Sequence, residues 1–144
     1  MKQIAIDGNK YDIDCNGLTY ILHKRLFNRG IMQDIHILQN YIITQTIKAN
    51  EIKTKFPQLS DDEIDSQVAN FMNDYIDDFI EAITRITYTL IYTANDKVKS
   101  YDEFLRNIKQ FRIDDDWIVE VTEFAVDCFC WWKSISRVRK DARR

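Results

Sequence analysis

The sequence predicts a mainly α (α+β) fold, in which an N-terminal β-hairpin is followed by about five helices around one core. Three observations predict it. Two short strand-like runs, residues 2–6 and 11–14, flank Asp7-Gly8-Asn9. Asp-Gly or Gly-Asn at a short break is a strong hairpin signal, because these residues accept the positive φ of a tight turn. The chain has only 3 Gly and 1 Pro, too few turn formers for many short strands. Most of the remaining sequence repeats apolar residues every three or four positions, the spacing of amphipathic helices.

Residues 18–28 read as the first helix, with Leu18, Ile21, Leu22 and Phe27 as its apolar stripe and Gly30 as its stop. A second helix covers about residues 32–50. Ile35, Leu38 and Ile42, with Ile31 and Ile43 less well aligned, supply its buried side. Residues 53–59 hold the only Pro and form a loop. Ser60 and Glu63 then make a capping box, in which the Ser oxygen takes an orphan N–H of the first turn and the Glu reaches back. Asp61, Asp62 and Glu63 also suit the positive end of the helix dipole.

The helix that starts there is expected to run to about residue 94 and to be the central one. Ile64, Val68, Phe71, Tyr75, Phe79, Ile83, Ile86 and Leu90 form one stripe. Met72, Ile76 and Ile80 widen it to about half the circumference at ~100° per residue. Asp74, Asp77, Asp78 and Glu81 fall together on the other side. Asn95-Asp96 opens a polar connector, and Ser100 with Glu103 is a second capping box, opening a short helix over residues 101–110. The last helix begins near Asp114, with Trp117, Val121, Phe124, Cys128 and Trp132 spaced along its buried stripe. Residues 1–130 thus read as a single helical domain with its hairpin in residues 1–16, and residues 131–144 as a basic C-terminal tail.

A chain of 144 residues fits one domain and buries roughly 70% of its unfolded surface, enough for its own core. The net charge of −3 conceals a polarity. From Trp131 to Arg144 there are six basic residues and one acid, net +5, so the remaining 130 residues carry −8. Between Pro57 and Thr84 there are eight acids and no Lys or Arg. Three Cys are too few and too odd in number for a disulfide framework. No apolar run approaches the ~18 residues of a membrane span, and no signal-peptide pattern opens the chain. A soluble cytoplasmic protein without a cofactor is the expectation.

Catalytic motifs are absent: the sequence holds no Gly-rich phosphate loop, nucleophile elbow or His-Glu-x-x-His helix, so no enzyme is expected. The two histidines, His23 and His36, read as ordinary surface or partly buried helix residues. Cys128-x-Cys130 is one residue short of zinc-knuckle spacing, and on a helix its thiols point ~200° apart. One core Cys and one peripheral Cys is therefore the reading, with no metal. Asp74, Asp77, Asp78 and Glu81 read either as a solvated helix face or as a docking face for a basic partner. In the tail, Trp131, Trp132, Arg137 and Arg139 are candidates for protein contacts, since Trp and Arg concentrate at interface hot spots. Interleaved Trp and Arg also suit single-stranded nucleic acid, but a pI near 5.4 argues against a dedicated nucleic-acid protein.

After the hairpin comes Cys15-Asn16-Gly17-Leu18-Thr19-Tyr20, a helical run to Phe27, and Asn28-Arg29-Gly30-Ile31-Met32-Gln33-Asp34-Ile35. This order resembles the small tail assembly chaperones of long-tailed, siphovirus-like bacteriophages or prophages. Many of them open with a hairpin, then a helix carrying Tyr, basic residues and Phe, then a Gly and an acid that begin a second helix. Phe79-Ile80-Glu81-Ala82-Ile83 through Tyr92-Thr93-Ala94-Asn95 resembles the central helix of the family. Ser100-Tyr101-Asp102-Glu103-Phe104-Leu105 is similar to the segment that follows it, and residues 117–129 look like its closing helix. The basic tail and the paired Trp depart from the family's pattern.

The resemblance implies a protein made during virion assembly in the host cytoplasm and absent from the mature virion. It implies binding to the tape measure protein, keeping it soluble, and help in recruiting tail tube protein subunits, in many phages through a frameshifted longer form. A homo-oligomer fits the charge polarity: an acidic face and a basic end pair head to tail, and such heterologous contacts build rings or helical coats. The alternative is a small adaptor or regulatory protein of a mobile element, binding nucleic acid or a protein through its basic C-terminal tail.

Overall fold

A computed structural model, which describes residues 1–129, gives an antiparallel hairpin and six helices. In chain order these are β1 (Lys2–Ile6), β2 (Asn9–Ile13), α1 (Gly17–Phe27), α2 (Ile31–Lys55), α3 (Asp61–Met72), α4 (Ile76–Ala94), α5 (Tyr101–Arg106) and α6 (Asp116–Phe129). The mainly α architecture with an N-terminal hairpin is the predicted one.

The hairpin turn is tighter than expected. Asn9 already pairs with Ile6, so Asp7-Gly8 alone makes the turn. Both turn residues have positive φ, 50° and 82°, as a two-residue turn matched to the twist of its strands requires. Nothing crowds Gly8, so the backbone angle alone asks for glycine there. The register sets Ile4 opposite Tyr11 and turns Ile4, Ile6 and Ile13 into the core, while Gln3, Ala5 and Asp12 face solvent. The Asp14 N–H donates to the Leu90 carbonyl at 3.2 Å and docks the hairpin on α4. The Lys109 N–H donates to Asp7 Oδ2 at 2.8 Å and ties the turn to the segment after α5.

Asn16 caps α1. Its Oδ1 accepts the Leu18 N–H at 2.9 Å, and Thr19 Oγ1 accepts the Asn16 N–H at 3.0 Å. The helix stops at Asn28, whose φ is +53°, so an Asn supplies the left-handed exit expected of Gly30. Gly30 instead starts α2, with its N–H donating to Gln33 Oε1 at 3.2 Å. The inward face of α1 is Thr19, Leu22 and His23, while Leu18 and Ile21 of the expected stripe are exposed. Apolarity misplaces this face because two of its polar residues find internal hydrogen bonds. On α2, Ile31, Ile35, Leu38 and Tyr41 are buried, whereas Ile42 and Ile43 are exposed.

Residues 73–75 break the expected continuous central helix, which is why six helices form rather than five. There is no Gly or Pro at the break. Asn73 and Asp74 are weak helix formers whose side chains compete for backbone groups. Over that turn the hydrogen bonds shorten to i−3, from the Asn73 N–H to the Asn70 carbonyl and from the Tyr75 N–H to the Met72 carbonyl. The break lets α3 lie along α2 while α4 enters the core. Ser60 caps α3 by accepting the Glu63 N–H at 3.2 Å, but Glu63 returns to the Ser60 hydroxyl rather than to the backbone.

α4 is the centre of the molecule, contacting α1, α2, α5, α6 and β2. It buries Thr84, Thr87 and Thr89 along with Ile83, Ile86 and Leu90. These threonines are tolerated because each hydroxyl donates back along the helix, to the carbonyls of Ile80, Ile83 and Arg85 at 2.8, 2.6 and 2.9 Å. α5 ends four residues earlier than expected, and its Phe104 packs with Tyr11, Tyr88 and Tyr101. α6 buries Trp117 and Val121 as expected and adds Ile118, Ala125 and Phe129, while Phe124 and Cys128 are only partly covered. One continuous apolar cluster extends from Ile4 to Phe129.

Two substitutions on α2 separate packing from helix propensity. Leu38→Ala, at a fully buried site, is expected to cost about 2–5 kcal/mol in urea unfolding. Ile43→Ser, at an exposed site on the same helix, is expected to shift stability by less than about 0.5 kcal/mol.

Candidate docking surface

The scaffold beneath the candidate surface is a buried charge network around Asp34, which is inaccessible to solvent. Asp34 lies in the first turn of α2, where the helix dipole favours an anion. Arg85 of α4 grips it as a fork, Nε to Oδ2 at 3.0 Å and Nη2 to Oδ1 at 2.8 Å. His23 of α1 reaches Oδ2 with Nε2 at 2.6 Å and meets Thr89 Oγ1 with Nδ1 at 2.8 Å. A carboxylate only accepts, so Nε2 carries the hydrogen. Arg29 Nε sits 2.9 Å from Oδ1 but off the line of a hydrogen bond, so it contributes its charge alone. Burial pushes the Asp34 carboxyl up, and the hydrogen bonds from His23 and Arg85 together with the Arg85 charge outweigh it, holding the carboxyl below its ordinary value. His23 is therefore not the surface or partly buried residue the sequence suggested: it is fully buried and shares a carboxylate. His36 is exposed.

The surface itself opens along the far half of α2. Gln45, one turn after the buried Tyr41, is already exposed. Two hollows of about 730 and 260 Å³ share Tyr41, Gln45 and Ile113 and together make one trough. The larger lies between α2, α3 and residues 111–114, over Val68, Met72 and Ile76. The smaller lies between α2 and α6, with the exposed side chains of Ile42 and Val119 on its two walls. Asp65, Asp114 and Glu123 rim the trough, and Arg112 stands 3.7 Å from Asp114. A concave apolar seam with charges only at its rim can accept the apolar face of an amphipathic helix. Exposed apolar surface of this kind marks interaction sites.

The predicted site residues divide in two. Asp74 sits in the α3–α4 break, and Asp77, Asp78 and Glu81 follow in the first turns of α4, all exposed. Asp77 and Asp78 stand at the positive end of α4, which stabilises them locally. Asp78 shares a further hollow of about 340 Å³ with Ile37, Tyr41 and Tyr75, and Glu81 Oε2 lies 3.7 Å from Arg85 Nη1. Trp131, Trp132, Arg137 and Arg139 lie outside the described residues, as does Cys130. The neighbour of Cys128 is Cys15. Burial, foremost, pushes both thiols up, Cys128 to about 12. Sequence reasoning missed the Asp34 network, although Arg85 is the single Lys or Arg between Phe56 and Asp96, a signal of a buried partner. It also missed the trough, because periodicity marks apolar faces without saying which remain uncovered.

Among the described residues, no His, Cys, Asp or Glu group of three or more is placed to hold a metal ion, and no helix is long and apolar enough to cross a membrane. No family model, curated protein or solved structure matches the chain.

Asp34→Asn is expected to destabilise the protein by about 3–5 kcal/mol at pH 7, because it leaves buried cations without their counter-charge. The folded carboxyl titrates below its unfolded value, so its contribution is present above the unfolded value and disappears as pH falls through the folded one. Urea unfolding of both proteins from pH 7 downward should show the gap between them narrowing only under acid conditions.

Proposed function

We propose that the protein is a tail assembly chaperone of the siphovirus type. In this reading it binds the tape measure protein during tail morphogenesis, keeps it soluble, and helps recruit tail tube subunits without performing chemistry. The observation that carries the reading is the trough along α2, where Ile42 and Val119 stay exposed over an apolar floor. A long helical client that aggregates through its own apolar stripe needs such a seam. The rim carboxylates Asp65, Asp114 and Glu123 favour helices with basic flanks.

Assembly between copies follows from the charge polarity. The exposed acids Asp74, Asp77, Asp78 and Glu81 on one copy pair with the tail of the next, through Arg137 and Arg139 with Trp131 and Trp132 as anchors. A head-to-tail contact of this kind repeats into a coat along an extended partner.

Co-expression with the tape measure protein encoded beside it tests the client. A soluble complex recovered by pull-down is the expected result. Ile42→Asp combined with Val119→Asp, both at exposed positions, should reduce recovery at least tenfold without lowering the melting temperature. A tape measure protein that stays insoluble and unbound overturns the reading. Sedimentation at about 50 and 500 mM salt tests the assembly: self-association should rise with concentration and weaken in high salt, where exposed pairs are screened. A strict monomer at both salts overturns it.

A further inference from the structure

A second concavity, away from the trough, has a different chemistry. A cleft of about 440 Å³ lies between β2, the last turn of α4, the connector after it and α5. Lys10, Lys97 and Lys99 line it together with Asn9, Asn95 and Asn107, and no carboxylate is among the lining residues. Its apolar wall is Tyr11, Tyr88 and Phe104. The three ammonium groups make no ion pair or hydrogen bond among the described residues, unlike Lys48, which reaches Glu51 at 3.6 Å. Residues 1–130 carry a net charge of −8, so an acid-free lining with three free lysines runs against the bulk of the chain. Asp7 and Glu103 stand near enough to act on Tyr11 and Tyr88 but do not line the cleft.

The cleft is held in shape by specific contacts. Tyr88 Oη donates to the Lys99 carbonyl at 2.7 Å, and Asn95 Oδ1 accepts the Lys97 N–H at 3.0 Å. These two bonds set the path of the connector that carries both lysines. Tyr11 is fixed edge-on against Phe104, with centroids 6.0 Å apart and planes at 85°. The volume falls within the range of small-ligand sites, roughly 300–1,000 Å³.

We propose that this cleft binds a nucleoside phosphate, with the lysines on the phosphates, the Asn carboxamides on the edge of the base, and the ring of Tyr11 beside it. Ammonium groups are point-charge phosphate ligands, and a carboxamide offers a donor and an acceptor side by side, as a base edge does. Inorganic phosphate alone would leave the aromatic wall and the carboxamides unused. A peptide carboxylate would engage one lysine and leave two. The nucleoside phosphate has two sources, a free nucleotide or the phosphorylated end of a single strand. The proposal is independent of the chaperone reading, because no residue of the trough takes part.

Calorimetric titration of the full-length protein at low salt tests it, using ATP, AMP, adenosine, inorganic phosphate and a 5′-phosphorylated oligoadenylate. ATP should bind more tightly than AMP, and adenosine and phosphate should bind at least tenfold more weakly than ATP. Affinity should fall as salt rises. The combined substitutions Lys10→Gln, Lys97→Gln and Lys99→Gln, all at exposed positions, should reduce ATP binding at least tenfold with an unchanged melting curve. Tighter binding of the oligonucleotide with the same lysine dependence assigns the strand end, and tighter binding of ATP assigns the free nucleotide. Absence of binding by both ATP and the oligonucleotide overturns the proposal. Binding that survives the triple substitution belongs to the basic tail and overturns it equally.

Discussion

Everything in this fold is arranged around one carboxylate that has left water. Asp34 is fully buried, and an unpaired carboxylate there would cost several kcal/mol after relaxation. Its partners come from three elements: His23 on α1, Arg29 on the link to α2, and Arg85 on α4. A forked guanidinium accepts little variation in angle, so the pairing fixes α4 against α2 far more sharply than apolar contact would. Thr89 extends the constraint by meeting His23 and by returning to the Arg85 carbonyl. The apolar core supplies the driving force, and the charge network selects one arrangement of its helices.

What the sequence disclosed was local. The Asp-Gly turn, the Ser60 and Ser100 caps and the centrality of the helix ending at Ala94 rest on residues within a few positions of each other, and the structure contains all of them. What it concealed depends on distant partners. Thr19 and His23 face inward only because Thr93, Thr89 and Asp34 are there to receive them. Leu18 and Ile21 lie on the side of α1 that no element among the described residues covers. The break at residues 73–75 has no Gly or Pro to announce it. The four candidate acids read as one face of a continuous helix, whereas the break sets Asp74 before α4 and Asp77, Asp78 and Glu81 in its opening turns, and Ile42 reads as a core residue though it is exposed.

The trough has a simple geometric origin. At 1.5 Å per residue, the 25 residues of α2 span about 37 Å, whereas the 19 of α4 span about 28 Å. α4 therefore runs out before α2 does. α3, with 12 residues, takes over on the far half, and the seam where the coverage changes hands is where Tyr41, Gln45 and Ile113 meet. Its openness follows from the difference in length between α2 and α4.

β1 packs against α6, and the Cys15 and Cys128 thiols meet nearby, so the earliest and latest of the described elements are neighbours. A chain emerging from the ribosome makes Ile4 and Ile6 well before the helix that covers them. Until residue 129 has been synthesised the hairpin has only part of its housing, and contacts of such sequence separation are the slow ones to form. The hairpin therefore reaches its full packing only after α6 has been made, and until then β1 is partly uncovered.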